Sequence, residues 1–263
     1  MTLALAPRPA LAPLTEESVF IVRALRHSLR NVEALLMSIL LPVMLMLLFT
    51  FVFGGAIDGG TGDYVNYVVP GIILLCAGFG AASTAVSVNA DMTNGIIDRF
   101  RTMGIRGGAV LTSHVVASLA RNLVATGVVI GVALLVGFRP TGSVVAWIAA
   151  LGLVALYILA ITSLFAAIGL ASTSADAATG YGFILLFLPY LSSAFVPVDT
   201  MPGWLQGLAT HQPITPLVES IRGLLLGGGA APEWPIAIAW CVGIILVAAV
   251  WGGWLFRRKA GRR

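Results

Sequence analysis

The residues of this chain that could do chemistry are charged, and they are concentrated between Asn89 and Arg106, a segment with the sequence NADMTNGIIDRFRTMGIR. This segment, called the island below, lies between two long apolar runs, and its length suits a short amphipathic helix. Lipid would not accept its charged side chains. They are Asp91, Asp98, Arg99, Arg101 and Arg106. We interpret the island as a docking surface for another protein; the alternative is that its charges only keep a connecting loop in water.

The sequence contains no motif for enzyme chemistry. Its one lysine is Lys259, and it has no G-x-x-x-x-G-K-[ST] loop to hold a nucleotide phosphate. It also lacks the G-x-S-x-G and H-E-x-x-H motifs, and its three histidines, His27, His114 and His211, belong to different segments. We therefore predict that the chain is not an enzyme, hydrolyses no ATP by itself, holds no metal or cofactor and binds no nucleic acid.

The composition is that of a membrane protein. Hydrophobic residues make up 59% of the 263 residues, well above the roughly 45 to 50% found in soluble domains. Charged residues make up only 10%, and the mean hydropathy is +0.99. Several continuous apolar runs reach the length of about 20 residues that a membrane-spanning helix needs. We predict one all-α transmembrane domain over residues 1–263 with six spans: Val32–Phe53, Val65–Val88, Ala109–Phe138, Ser143–Ala171, Ala177–Val196 and Trp234–Phe256.

The distribution of Lys and Arg predicts the orientation. Most of these residues fall before the first predicted span, in the island or after the last span. Positive charge near short loops is retained in the cytoplasm, so we expect both termini and the island on that side. Residues 15–30 predict an amphipathic helix on the membrane surface, because Thr15 can cap it and Arg23 and Arg26 lie beside an apolar stripe. The alternative is a simple positively charged anchor.

Residues 197–233 are rich in proline and glycine yet largely apolar, and they predict a re-entrant hairpin that gates or only seals the outer mouth. The spans have no acidic residue near their middle, which disfavours an ion-coupled carrier. Gly127 and Gly131 form a G-x-x-x-G pair that lets another helix of the same chain approach closely. Cys76 and Cys241 lie inside predicted spans, where we expect neither metal binding nor an extracellular disulfide.

Two segments carry a resemblance to a known family. They are DMTNGIIDRFRTMGIRGGAVLTSHVVASLARN, from Asp91 to Asn122, and VPVDTMPGWLQGLATHQPITPLVESIRGLLLG, from Val196 to Gly227. Together with the six predicted spans, they resemble the type-2 permeases of ABC exporters, and within these the daunorubicin/doxorubicin resistance permeases. The chain departs from the family pattern at Gly104, where the family often has Pro, and at Gln212, where it often has Asn.

The resemblance implies the membrane subunit of an ATP-driven exporter in the bacterial inner membrane, which moves hydrophobic or amphipathic compounds out of the cell. It implies a second permease copy or a related permease, in contact along the first and fifth spans. It also implies two separate ATPase subunits that hold ATP and Mg²⁺ and push on the island as a coupling helix. The residues expected to receive the push are Asp91, Gly95, Asp98, Arg99, Phe100, Arg101 and Met103, with Arg23 and Arg26 of the surface helix.

Arg121 lies well inside the third predicted span, on one helix face with His114 and Ser118. An arginine there is costly unless it faces protein or water. We predict that it faces inward and pairs with Glu33; the alternative is that it lies at the membrane edge and extends to water. A lining of aromatic and hydroxyl groups suits flat or amphipathic substrates, although aromatic residues at such spacings are common in ordinary cores. The predicted lining residues are Phe79, Ser83, Ser87, Arg121, Phe183, Phe187 and Tyr190.

Two other functions stay open at this point. One is the export of a lipid-linked glycan or another envelope precursor, for which a wide groove and longer surface helices are expected. The other is a membrane-embedded assembly or signalling scaffold that moves nothing. Specificity among permeases depends on the shape of the site more than on a motif, so the sequence names no cargo.

Overall fold

The computed structural model describes residues 32–57, 63–94, 107–229 and 231–260, with the backbone alone for 32–34, 57, 107–110, 259 and 260. All regular structure in these ranges is helical, as predicted. The surface helix predicted at 15–30, with Arg23 and Arg26, lies outside the described residues. So does the greater part of the island, which carries Gly95, Asp98, Arg99, Phe100, Arg101 and Met103.

We number the α-helices α1 to α8 in chain order. Helix α1 is Val32–Leu47, continued without a break by the π-helical segment Leu48–Phe53 and a last turn, Gly54–Ile57. The others are α2 Tyr64–Thr93, α3 Gly107–Val136, α4 Val144–Ala171, α5 Ala175–Leu186, α6 Gly203–His211, α7 Ile214–Leu225 and α8 Trp234–Ala260. Two short 3-10 turns, Leu188–Leu191 and Val198–Thr200, lie between α5 and α6.

In the described part of the chain, five helical segments are long and apolar enough to cross a membrane. They are Leu35–Ala56, Tyr64–Thr93, Leu111–Val136, Val144–Ala171 and Trp234–Arg258. These segments confirm five of the six predicted spans to within a few residues. The chain is therefore a multi-pass membrane protein.

The fifth predicted span, Ala177–Val196, differs from the structure. Its α-helix, α5, has 12 residues and ends at Leu186. Pro189 fits the early end, because proline has no amide hydrogen to continue the α-helical bonding; the chain goes on as the 3-10 turn Leu188–Leu191. A 12-residue helix is only about 18 Å long, against about 30 Å of hydrocarbon. A sixth complete crossing therefore stays a prediction.

Helix α2 forms the centre of the bundle. Helices α1, α3, α4 and α5 all pack against it. In the most apolar stretch of 18 residues in α2, 72% of the residues are buried. In the corresponding stretch of α1, only 17% are buried. Glycines allow the backbones to approach: Gly71 of α2 lies against Ala194, and Gly169 of α4 lies against the backbone of Ala85. Helix α8 packs on the outside of α4.

The G-x-x-x-G pair of α3 is not used for packing of this kind. A β-carbon added at Gly127 or Gly131 would meet no neighbouring atom of the described chain within 4 Å. Both positions are exposed. The expectation that this pair brings another helix of the same chain close to α3 is therefore wrong for the described helices.

We expect Gly169→Ala to destabilise the bundle by about 1–3 kcal/mol, because the added methyl group would overlap backbone atoms of Ala85. Gly127→Ala is the matched control: at an open helical position alanine is favoured over glycine by up to about 1 kcal/mol. Thermal unfolding of both variants in mild detergent, followed by size-exclusion chromatography, measures the difference. Equal melting temperatures for Gly169→Ala and the wild type would contradict the packing described here.

Candidate functional site

Bonded polar side chains form two clusters in the otherwise apolar bundle. The first lies between α2 and α3, at the end of the bundle from which the island leaves α2. We call this end the island end. The second lies where α7 meets the start of α2, and we call this the hairpin end. Helix α2 takes part in both clusters.

A side-chain hydrogen bond joins α2 and α3 at the island end. Oδ2 of Asp91, in the last turn of α2, lies 2.8 Å from Nε2 of His114, in the second turn of α3. The helix dipole disfavours a carboxylate at the C-terminal end of a helix, so Asp91 gains from a partner on a neighbouring helix. Among the residues expected to receive the push of an ATPase, Asp91 is the one whose side chain is described, and it is bonded within the chain.

Asn89 joins the same end of α2 to α4. Its Nδ2 donates to the carbonyl oxygens of Gly169 at 3.3 Å and of Ser172 at 2.9 Å, at the end of α4. The residue is buried. The sequence does not predict this contact, because Asn89 stands at the start of the charged island, where an amide is expected in water and not buried against α4.

Arg121, near the middle of α3, is only 8% exposed. Its Nη2 donates to the carbonyl oxygen of Gly80 at 2.9 Å and to the hydroxyl of Ser83 at 2.7 Å, with a longer contact of 3.4 Å to Ser118. Arg121 therefore faces the inside of the bundle, as predicted, and binds α2. The alternative, an arginine that extends to water, does not fit this burial.

The predicted partner of Arg121 is Glu33, which belongs to the part of α1 of which the backbone alone is described. The thiol of Cys76 on α2 donates to the carbonyl oxygen of Ser38 on α1 at 3.4 Å. Toward the island end, Glu33 lies about 7.5 Å beyond Ser38, and Gly80 lies about 6 Å beyond Cys76, at 1.5 Å per residue. The backbone of Glu33 and the bonded end of Arg121 thus lie at a similar depth. The ion pair itself stays a prediction.

Hydroxyl and amide groups connect α2, α3 and α4 beside Arg121. Oγ of Ser118 accepts from Oγ1 of Thr84 at 2.9 Å and from Nδ2 of Asn122 at 3.2 Å, and it lies 3.5 Å from Oγ1 of Thr162. All four side chains are buried, where polar groups need such partners. We call the bonded residues between α2 and α3 the seam. They are Gly80, Ser83, Thr84, Asp91, His114, Ser118, Arg121 and Asn122.

The structure brings some of the predicted lining residues together. Ser83 and Arg121 are bonded directly, and the hydroxyl of Ser87 donates to the carbonyl oxygen of Ser83 at 3.0 Å. Phe79, on the same helix, is partly buried and packs against the apolar core. Ser83 and Ser87 of α2 and Arg121 of α3 therefore form one polar group between these two helices.

The other aromatic residues predicted to line the path lie on α5 and just after it. Phe183 is 56% and Phe187 60% exposed. The ring centroids of Phe187 and Tyr190 are 6.1 Å apart, Tyr190 stacks on Phe195 at 5.2 Å, and Phe195 lies 4.4 Å from Phe49 in the π-helical segment of α1. An aromatic row thus runs from the exposed side of α5 to α1.

At the hairpin end, Arg222 connects α7 to the start of α2. Its Nη2 donates to the carbonyl oxygens of Tyr67 at 3.0 Å and of Ser193 at 2.8 Å, and its Nε donates to that of Tyr67 at 3.2 Å. The guanidinium also lies 3.8 Å from the centroid of the Tyr67 ring. Nη1 lies 2.5 Å from Oε1 of Glu219. The guanidinium group of arginine is planar and has five N–H donors, so it can bond several acceptors at once.

The backbone between α5 and α6 leaves regular helical bonding, and side chains take over several of its carbonyl groups. Besides Arg222, the donors are the Tyr67 hydroxyl to Ser193 at 2.9 Å, the Tyr64 hydroxyl to Phe195 at 2.8 Å and the Gln212 amide to Leu191 at 2.5 Å. We call this second cluster the clasp, formed by Tyr64, Tyr67, Gln212, Glu219 and Arg222 around residues 191–195. Sequence reasoning gave these residues no role, because their partners lie far away along the chain.

Within the described ranges, no group of three His, Cys, Asp or Glu side chains could hold a metal ion. The chemistry that the seam and the clasp offer is hydrogen bonding between helices, with one ion pair, Arg222–Glu219, inside α7. Such bonding fixes the register of helices and orients the segments that connect them.

Comparison with known proteins agrees with the resemblance drawn from the sequence. The ABC-2 type transporter family matches residues 16–226. The chain is 30% identical over 211 residues to the daunorubicin resistance ABC transporter permease protein DrrB1 of Streptomyces coeruleorubidus, with 80% of this chain and 74% of that protein covered. It is 25% identical over 229 residues to the probable doxorubicin resistance ABC transporter permease protein DrrC of Mycobacterium tuberculosis, with 87% and 83% covered. It is 27% identical over 202 residues to the inner membrane transport permease YadH of Escherichia coli, with 73% and 76% covered.

We expect Arg222→Ala to destabilise the hairpin end by about 2–5 kcal/mol, because it removes the partner of Glu219 and leaves bonded carbonyl groups without their donor. Arg139→Ala is the matched control, since Arg139 is an exposed arginine at the same end that donates to backbone carbonyls next to it in sequence. Thermal unfolding in detergent should give a clear loss for the first variant and little change for the second. Equal losses of stability in the two variants would show that the bonds of Arg222 stabilise the protein no more than those of an exposed arginine.

The predicted pairing of Glu33 with Arg121 is tested by a double-mutant cycle. If the two groups interact, Glu33→Ala and Arg121→Ala should each reduce stability, and the double variant should lose less than the sum, with a coupling of about 0.5–3 kcal/mol. Thermal unfolding of the four proteins in one detergent gives the coupling. If the stability losses of the two single variants add up in the double variant, Glu33 and Arg121 do not interact. Arg121 would then have only its bonds to α2 and α3.

Proposed function

The chain belongs to the ABC-2 type transporter family, and from this membership we propose that it is the membrane subunit of an ATP-driven exporter. The family match extends over residues 16–226, and it is the observation that carries the proposal. Two features support it: among the described residues five helices are long and apolar enough to span a membrane, and the sequence contains no G-x-x-x-x-G-K-[ST] motif. The energy would then come from a separate ATPase with its own ATP and Mg²⁺.

The proposed cargo is a hydrophobic or amphipathic compound of the drug or antibiotic type, moved outward across the bacterial inner membrane. Support comes from two relatives whose names state daunorubicin and doxorubicin resistance. The exposed aromatic ring of Phe187, just after α5, and the polar group around Ser83 and Arg121 offer both kinds of contact that an amphipathic compound needs.

The proposed complex contains two ATPase subunits and a second permease copy or a related permease. An apolar surface that the single chain leaves uncovered supports the second copy. Its most exposed side chains on α1 and the π-helical segment are Met37, Met44, Phe51 and Val52, and on α5 they are Tyr181, Phe183 and Ile184. We propose these two exposed apolar faces as the contact between permease copies.

In this complex α5 and the 3-10 turn after it would complete a fifth crossing, giving six spans with both termini in the cytoplasm. Helices α6 and α7 would form a re-entrant hairpin that dips into the outer half of the bilayer. The bonds of Arg222 to Tyr67 and Ser193 support this placement, because irregular backbone at membrane depth needs partners within the protein.

The island would be the coupling helix. It connects α2 to α3, so an ATPase that moves it would act on two helices of the bundle at once. Asp98, Arg99 and Arg101 would form charge-assisted contacts with the ATPase, while Phe100 and Met103 would fill its groove.

The test is to purify the tagged chain from its native membranes in mild detergent, identify the partners and measure vanadate-sensitive ATP hydrolysis. We expect an ATPase subunit at one copy per permease. In the double variant Asp98→Ala/Arg99→Ala the ATPase should be lost while the permease remains inserted, because the charge-assisted contacts are gone. Arg257→Ala, which removes one exposed charge at the end of α8, is the control and should keep the ATPase.

Two results would contradict parts of this proposal. A clean wild-type preparation without any ATPase would favour a scaffold that moves nothing. A double island variant that still holds its ATPase on a native gel would refute the docking role of Asp98 and Arg99 and leave the exporter function intact.

A further inference from the structure

The bond between Asp91 and His114 joins α2 and α3 at the island end. The two residues are 23 positions apart, and the chain between them consists of the end of α2, the island and the start of α3. The bond joins the last turn of α2 to the second turn of α3. A displacement of the island therefore reaches both helices at the level of this bond.

The geometry favours a bond within the chain over a docking role for Asp91. Its Oδ2 is held at 2.8 Å by the imidazole of His114, and the side chains of Asp91 and His114 are only 27% and 20% exposed. A carboxylate that binds a separate protein has to be offered to solvent before the partner arrives. Here it is directed at a neighbouring helix, where it also relieves the unfavourable charge at the C-terminal end of α2.

The same two helices are bonded deeper in the bundle. Thr84 bonds Ser118, and Arg121 bonds Gly80. Along α2, Thr84 and Gly80 lie about 10 Å and 16 Å from Asp91. The seam therefore joins α2 and α3 from the island end to the middle of the bundle. The bond between Asp91 and His114 is the part of the seam at the island end.

We propose that His114 is a positioning residue for coupling. It holds Asp91, and with it the island end of α2, against α3, so that a push on the island moves α2 and α3 as one unit. This inference rests on the proposed function, because it presumes an ATPase that moves the island. It changes the expected role of Asp91 from a contact with the ATPase to a bond inside the permease.

The test uses the complex of permease and ATPase in lipid and compares its nucleotide-free and vanadate-trapped states. The readout is the change in hydrogen exchange that trapping causes in α6 and α7 at the hairpin end, measured beside the rate of ATP hydrolysis. Because this readout needs no substrate, the unknown cargo does not affect it. The variants are Asp91→Ala, His114→Ala, the double variant and the exchanged pair Asp91→His/His114→Asp.

We expect each single variant to keep the ATPase and at least half of the hydrolysis rate, and to lose most of the exchange difference at the hairpin end. The double variant should lose no more than either single variant, and the exchanged pair should restore at least half of the difference. Ser163→Ala is the matched control: its hydroxyl donates to the Leu159 carbonyl within α4, outside the island and the seam, so the exchange difference should remain.

Several results would overturn the inference. If Asp91→Ala releases the ATPase and His114→Ala does not, Asp91 is a docking residue. If the single losses multiply in the double variant, or if the exchanged pair restores nothing, the two residues do not act as a pair. A single variant that aggregates is replaced by Asp91→Asn or His114→Gln, judged by the same readout. If the wild-type complex contains no ATPase, or shows no exchange difference on trapping, the proposed function itself fails and the inference fails with it.

Discussion

A bilayer core offers no water to polar groups, so the backbone groups at that depth have to be bonded within the protein, and buried polar side chains there gain from partners. This constraint accounts for where the bonded polar side chains of the bundle lie. The buried polar side chains of the seam lie between helices, where Arg121 finds the Gly80 carbonyl and the Ser83 hydroxyl. Helix α2 has to be central, because it carries acceptors for α3 on one side and for α7 at its start. The apolar side chains of α1 and α5 are left for lipid or for a second copy.

The same constraint explains why the hairpin end needs a clasp. After Leu186 the chain leaves α-helical bonding for residues that Pro189 helps to keep irregular. A buried carbonyl group without a donor costs about 1–3 kcal/mol. Tyr64 and Tyr67 of α2 and Arg222 of α7 donate to carbonyl groups of this stretch. Side chains of two other helices therefore replace part of the backbone bonding that the stretch lacks.

The sequence was sufficient for what depends on local composition and insufficient for what depends on contact between distant residues. Five spans follow from continuous apolar runs, and the inward direction of Arg121 follows from the cost of a charge in lipid. The short α5 was missed because apolarity alone does not show where a proline ends a helix. The bond between Arg222 and Tyr67 joins residues 155 positions apart, and no spacing rule relates them. The prediction for Gly127 and Gly131 was wrong for the opposite reason. The local pattern is present, but no described helix of this chain packs against it.

The length of α2 connects the two polar clusters. Its 30 residues span about 45 Å, which exceeds the roughly 30 Å of the hydrocarbon core. Both of its ends can therefore lie near the membrane surfaces, with Asn89 and Asp91 bonded to α4 and α3 at one end and Tyr64 and Tyr67 bonded to the hairpin end at the other. Pro70 lies inside this helix and removes one of its backbone hydrogen bonds near the hairpin end, so the bonds to neighbouring helices, and not the helix alone, fix the position of α2 in the bundle. Among the described helices, α2 is thus the element shared by both polar clusters, and in the proposed exporter it is the connection between the island end and the hairpin end.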